Sequence, residues 1–176
     1  MSACKIRSYN YVRAEIFGKK PTWVNRIISI RSKPQVHSEF QFSPRYDNIS
    51  FSATMQDDVK CARFKQIEYS HEAERWDTVI VPMTDEEEDR AYLRAQTLEG
   101  MPYDLAGLLS HATKWKIWKP SKKKIWCSKA VERVVSTGRP DFRVFLRMFD
   151  LIDELMPNQL DMMARYFFDV EPKELA

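Results

Sequence analysis

Apolar and polar positions change rhythm several times along the chain, and each change predicts an element. From Gln35 the segment QVHSEFQF sets Val36, Ser38, Phe40 and Phe42 against His37, Glu39 and Gln41. A period of two predicts a strand with distinct faces. SPRYDN then supplies turn residues, and ISFSAT alternates again with Ile49, Phe51 and Ala53 on one side, so a hairpin is expected. Further strands are expected at Ala62 to Ile67 and at Trp76 to Met83, where WDTVIVPM carries the richest β-branched run. Upstream, Pro21 to Ile30 reads as a short helix with Pro21 in its first turn, ended by Ser32 to Pro34.

Helical periods take over after Met83. Thr84 followed three residues later by Glu87 matches a capping box, and the acidic run Asp85 to Asp89 suits a helix N-terminus, so a helix is expected over 85–98. Gly100 and Pro102 end it. Shorter helices are expected from Asp104 to His111 and from Trp126 to Ser136, and two more at Val144 to Leu155 and Gln159 to Phe168, separated by Pro157. One helix, about four antiparallel strands and a run of helices make an α+β plan.

Composition and charge narrow the function classes. The 176 residues are 44% hydrophobic and 30% charged, which suits a folded domain and excludes a disordered chain. With no repeat and only four glycines there is no sign of a flexible linker, so a single domain over 1–176 is expected. A formal charge of +3 is too small to declare a nucleic-acid binder. The positive charge is local: Lys114 to Lys124 reads KWKIWKPSKKK, with six lysines and two tryptophans. Lys122, Lys123, Lys124 and the nearby Trp126 are therefore candidates for holding an anionic partner such as nucleic acid, lipid headgroups or an acidic polymer. The plainer reading is a solvated loop with its tryptophans packed on the domain. The N-terminus lacks the apolar stretch of a secretory signal and no segment approaches a membrane span, so a cytoplasmic location is expected.

Cys4, Cys61 and Cys127 fit neither a disulfide framework nor a zinc pattern, and no metal or cofactor is expected. The useful question is whether one of them is reactive. Cys127 lies in IWCSKAVERVV, where a loop gives way to a helical period and the helix dipole favours a thiolate. His37 sits on the first expected strand, and Glu39 shares its face, placed to orient an imidazole. Each also has a structural reading. Cys127 shares a helical face with Val131 and Val134, as a packed side chain does, and His-x-Glu also occurs on solvated sheet faces. Cys61 reads as a packed strand residue, His71 as part of a polar loop and His111 as the end of a short helix. Ser128 lacks a Gly-x-Ser-x-Gly elbow.

The succession of VHSEF, ISFSAT, WDTVIVP, a helix, GMPYDLAGLL and WCSKAV resembles the circularly permuted papain-like hydrolases, the YiiX-like branch of the NlpC superfamily, over residues 22–136. The resemblance implies a small antiparallel sheet or half-barrel packed against helices, with residues 142–170 as an added helical extension. It implies His37 as base, Glu39 as the acid orienting it, and Cys127 as nucleophile. The segment Gly100 to Asp104 matches the family's Gly-x-Pro-Tyr-Asp, implying that Tyr103 and Asp104 support the site, with the Tyr103 hydroxyl and the Cys127 N–H facing an oxyanion. Val36 stands where serine is frequent, and the lysine-rich insert is peculiar, so the substrate is not inherited.

The implied reaction is hydrolysis of an amide, in a peptide, peptidoglycan stem or isopeptide, through a thioacyl intermediate. A lipid-directed acyl hydrolase or transferase, and a noncatalytic binding module using the Trp-rich loop, are the alternatives. A cell-wall substrate would require an exit route such as phage lysis, and the compact, glycine-poor sequence suits a phage-encoded protein. The apolar stretch from Val144 to Phe168 either completes the core or offers a homodimer surface.

Overall fold

A computed structural model describes residues 2–16, 23–55, 59–113, 121–152 and 155–169. It is a mixed α+β fold with one five-stranded antiparallel sheet and several helices. Its first element lies where the hydrophobic pattern predicts none: β1 (Ser2–Asn10) is a strand and sits inside the sheet, between β2 (Gln35–Gln41) and β5 (Trp76–Met83). Cys4, Ile6, Ser8 and Asn10 are buried while Lys5, Arg7 and Tyr9 are half-covered, so the alternation is present but written partly in polar residues. β3 (Ser50–Ala53) and β4 (Ala62–Lys65) complete the order β4-β3-β2-β1-β5. The short helix α1 (Tyr11–Ile16) follows β1 directly, and α2 (Trp23–Ser32) precedes β2. Pro21, the expected start of α2, lies outside the described residues.

Register sets the two faces of β2. Tyr9 lies opposite His37, Arg7 opposite Glu39 and Lys5 opposite Gln41, while Phe40 pairs with Phe51 of β3. Val36, Ser38 and Phe40 are wholly buried against helices. Glu39 and Gln41 on the other face are also covered, so this is not a solvated sheet face. A turn of 3-10 helix, Tyr69–Arg75, supplies part of that cover through Tyr69.

Helix α3 (Asp85–Leu98) begins with both bonds of the expected capping box: Glu87 N–H donates to Thr84 Oγ1 at 3.2 Å, and Thr84 N–H donates to Glu87 Oε2 at 2.8 Å. Gly100, with φ of 76°, takes the left-handed turn that stops it. After α4 (Leu105–Thr113) comes α5 (Cys127–Gly138), which packs on β2, β3 and α3 and is buried along most of its length. The core gathers Phe40, Phe42, Phe51, Val79, Val81 and Met83 from the sheet with Val131, Val134 and Val135 from α5. A smaller cluster, including Val36, Leu108, Trp126 and Met156, surrounds the start of α5.

The first of the two expected C-terminal helices is displaced, while the second lies close to where the pattern puts it. The segment Val144 to Leu155 is not one helix: α6 spans Pro140–Met148, because Pro140 is a good first-turn residue and Asp150, with φ of 55°, turns the chain away. α7 spans Pro157–Ala164 and runs into a π turn over Arg165–Asp169. Phe142, Leu146, Leu155, Leu160, Met163 and Phe168 complete the core, while Val144, Met148, Phe149, Met162 and Tyr166 stay exposed. Among the described residues no helix is long and apolar enough to cross a membrane.

Candidate active site

The first residue of α5 meets the middle of β2. Trp126, in extended backbone conformation, precedes the helix, so Cys127 occupies its first position with the free N–H groups of the first turn around it. The His37 side chain interacts with Cys127, and its Nε2 lies 3.1 Å from Glu39 Oε1. Backbone N–H groups of Ser38 and Ser128 also bond the sulfur. The Tyr103 side chain also interacts with Cys127. Thus Cys127, His37, Glu39 and Tyr103, spread over 91 residues of sequence, meet at one point.

The electrostatics follow from these contacts. Burial pushes the Cys127 thiol up, but the His37 hydrogen bond and charge, with the two N–H groups, outweigh it and hold the thiol below its ordinary value. Burial also disfavours the His37 imidazolium, yet bonds and charges from Cys127 and Glu39 raise its pKa to about 10. Each charge therefore favours the other: an imidazolium at His37 and a thiolate at Cys127 stabilise one another. Tyr103 moves the opposite way: burial, then the Cys127 and Asp104 charges, push its hydroxyl well above the usual phenol range, so it stays a donor. Cys127 is 0% exposed, and the His37 side chain at 19% is what the pair presents to solvent.

Asp104 works at one remove. Its Oδ1 accepts from Gly107 N–H at 2.9 Å, capping α4, and its Oδ2 accepts from Ser121 N–H at 2.9 Å, so it ties both ends of the lysine-rich insert. A Cβ at Gly107 would lie 2.5 Å from that carboxylate, which is why a glycine stands there. The backbone beside it is held by Asp104 N–H to Ile125 O at 3.0 Å and Ile125 N–H to Pro102 O at 3.0 Å, and this fixes Tyr103.

The lysine and tryptophan candidates separate. Lys122, Lys123 and Lys124 are exposed. Trp126, grouped with them from sequence as a ligand-holding residue, is instead wholly buried; its Nε1–H donates to Leu155 O at 3.3 Å, and its ring packs on His111 at 5.3 Å. Ser128 Oγ donates to the same carbonyl at 2.5 Å, so both flanks of Cys127 are pinned by the C-terminal segment. An aromatic with that many internal partners offers no face to an outside ligand. Residues 114–120 of the insert lie outside the described residues.

The other cysteines sit elsewhere. Cys61 is half-buried beside Pro102, and Cys4 is buried against Glu88. Among the described residues no group of three His, Cys, Asp or Glu is placed to hold a metal. Sequence reasoning missed Tyr69, whose hydroxyl donates to Glu39 Oε2 at 2.6 Å; it lies 30 residues away in an irregular turn with no periodic signal. Comparison with known proteins finds no matching family model, no matching curated protein and no matching solved structure.

Proposed function

We propose that the chain is a cysteine hydrolase of the circularly permuted papain-like kind, cleaving an amide bond through a thioacyl-enzyme. The observation that carries this reading is a single side chain. His37 interacts with both Cys127 and Glu39, the combination that a thiol nucleophile, its base and an orienting carboxylate require. A histidine retained only for packing needs no partner at either nitrogen with this chemistry.

In the proposed reaction the Cys127 thiolate attacks the carbonyl carbon and the carbonyl π electrons move to oxygen. The Tyr103 hydroxyl and amide N–H groups at the start of α5 stabilise that oxyanion. Collapse breaks the C–N bond as imidazolium His37 gives its proton to the leaving nitrogen. Neutral His37 then takes a proton from water, the hydroxide attacks the thioester, and the thiolate departs. Thiolate and imidazolium are restored. Because the sulfur is fully covered, substrate entry requires the cover to shift, so the rate of labelling alone understates how activated the thiol is.

The test uses the pH dependence of iodoacetamide labelling, read at each cysteine by peptide mass spectrometry, with p-nitrophenyl acetate as acylating probe. Cys127 is expected to label with a midpoint well below the ordinary thiol value of about 8.5, and to carry the acetyl group. Cys127→Ala should abolish acylation and leave the fold intact. Acetylation that persists in Cys127→Ala, or a Cys127 midpoint no lower than that of Cys61, sinks the proposal.

A further inference from the structure

Glu39 can serve His37 only if its carboxylate is held still, since a glutamate has three side-chain torsions and one hydrogen bond does not fix them. One oxygen, Oε1, faces His37 Nε2. The other, Oε2, accepts from the Tyr69 hydroxyl at 2.6 Å, and Tyr69 Oη lies 2.8 Å from Ser50 Oγ. Proton polarity along this chain is determined. A carboxylate next to an imidazolium only accepts, so Tyr69 donates to it, and Ser50 in turn donates to the phenolic oxygen.

The Tyr69 ring is itself clamped. The Arg7 guanidinium lies 4.4 Å from the ring centroid, and Trp76 meets the ring edge-on at 5.2 Å and 90°. Arg7 is fixed by donating from Nε and Nη2 to Gln41 Oε1, at 3.1 and 2.8 Å, and from Nη1 to Thr78 Oγ1 at 2.8 Å. Arg7 is also the residue opposite Glu39 in the β1–β2 register, so its charge lies across the strand from the carboxylate. Trp76 reaches His37 as well, with ring centroids 6.3 Å apart. Ser50 and Tyr69 are buried, so water competes poorly for these bonds.

We infer that Tyr69 is a positioning residue for the catalytic pair: it fixes the Glu39 carboxylate that holds His37, and through it sets how far Cys127 is ionised. This rests on the reading of Cys127 as an activated thiol. Tyr69 touches neither substrate nor sulfur in this scheme. Its whole effect passes through Glu39, and that makes the inference testable by non-additivity.

The experiment measures the pH midpoint of Cys127 alkylation in the full chain, in wild type, Y69F, E39Q and the Y69F/E39Q double variant, with thermal melts to confirm folding. E39Q is expected to raise the midpoint by about two pH units and Y69F by about one, because Phe keeps the clamped ring and deletes only the donor. In the double variant Y69F should add nothing beyond E39Q. A water can fill part of the space beside Glu39, where a cavity of about 20 Å³ already exists, and this keeps the Y69F effect below that of E39Q.

A Y69F midpoint equal to wild type overturns the inference, and so does a Y69F shift that persists undiminished in E39Q. A wild-type midpoint near about 8.5 overturns both this inference and the nucleophile reading, whereas a lowered midpoint untouched by Y69F overturns this inference alone. If Y69F fails to fold, S50A carries the same test. It weakens the donor chain without touching the ring, and a smaller upward shift that vanishes in E39Q is expected; no shift, or one that survives in E39Q, is the overturning result.

Discussion

The chain buries two thiols completely, Cys127 and Cys4, and turns them into opposite chemical objects. Cys4 on β1 donates its S–H to Glu88 Oε1 at 3.3 Å, and burial followed by the Glu88 charge pushes its pKa far up. Cys127 suffers the same desolvation, yet His37 and two amide N–H groups bring its pKa down. Burial is therefore not what distinguishes a thiol held below its ordinary pKa from one pushed above it. The sign of the nearest charge is, and Cys4 shows what Cys127 becomes without a cation beside it.

Replacing that cation breaks the contrast most severely. His37→Ala should leave Cys127 as inert as Cys4, with a fall of about a hundredfold or more in alkylation at mildly acidic pH, since each unit of thiol pKa is worth tenfold in thiolate. Hydrolysis, if the proposed reaction holds, falls by about a thousandfold or more. Site-resolved labelling of all three cysteines checks both sides at once: Cys4 should stay unlabelled throughout, and labelling of Cys4 in the folded variant would break the comparison.

The Cys4 side is tested through stability. Glu88 is wholly buried and accepts from Ser43 N–H at 2.8 Å, Ser43 Oγ at 2.9 Å and the Cys4 thiol. Glu88→Ala removes the buried acceptor shared by the Ser43 N–H, the Ser43 hydroxyl and the Cys4 thiol, with an expected loss of about 2–4 kcal/mol read from urea unfolding. Cys127 labelling should not move, because the site on α5 shares none of these partners. A shift of the Cys127 midpoint in this variant would show that the two thiols are not independent.

Much of the fold and the site is legible in the sequence, for particular reasons. β5 and α3 stand where the pattern puts them, because β-branched alternation and a capping box are local signals. His37 and Glu39 are readable as a pair because side chains two apart on a strand must share a face. β1 is hidden because its inner face ends in Ser8 and Asn10 rather than apolar residues, and Asn10 is there to donate to Asp77 Oδ2 at 3.0 Å. α6 is misplaced because Pro140 sets its start more strongly than the apolar spacing further on. Tyr69 and the buried state of Trp126 depend on contacts across the fold, and no local pattern encodes those.

The paired charges also set a pH profile. The raised His37 pKa contributes stability that is complete below its ordinary 6.5 and lost as pH rises through about 10. The lowered Cys127 pKa contributes stability that is complete above its ordinary 9.0 and lost as pH falls through the folded value. As pH falls below 9.0 the Cys127 contribution declines while that of His37 grows, so the two oppose one another, and the Cys127 part is the one lost toward acid. Cys4, which keeps its proton when folded and loses it above 9.0 when unfolded, adds to the alkaline fall, so the acid limb is the one specific to the pair. A C127S/H37Q variant should lose the acid-side pH dependence that the Cys127 thiolate gives wild type as pH falls through its folded value, about 1 kcal/mol per pH unit in urea melts across pH. Identical acid limbs in the two proteins would mean that no ion pair forms.

The smallest expected effect distinguishes the donors around the sulfur. Tyr103 acts on Cys127, whereas the groups that act on Cys4 are Glu88 and Ser43. Tyr103→Phe removes its hydroxyl and keeps the ring, so the thiolate loses a single neutral hydrogen bond while His37 and the amide N–H groups remain. The alkylation midpoint should rise by about half a unit. If the same hydroxyl also meets the oxyanion, acylation by p-nitrophenyl acetate should slow by a larger factor, about tenfold to a hundredfold, because the bond strengthens as charge moves from sulfur to oxygen. Equal, small effects on both readouts would confine Tyr103 to holding the resting thiolate, and a large midpoint shift with unchanged turnover would remove it from the proposed oxyanion site.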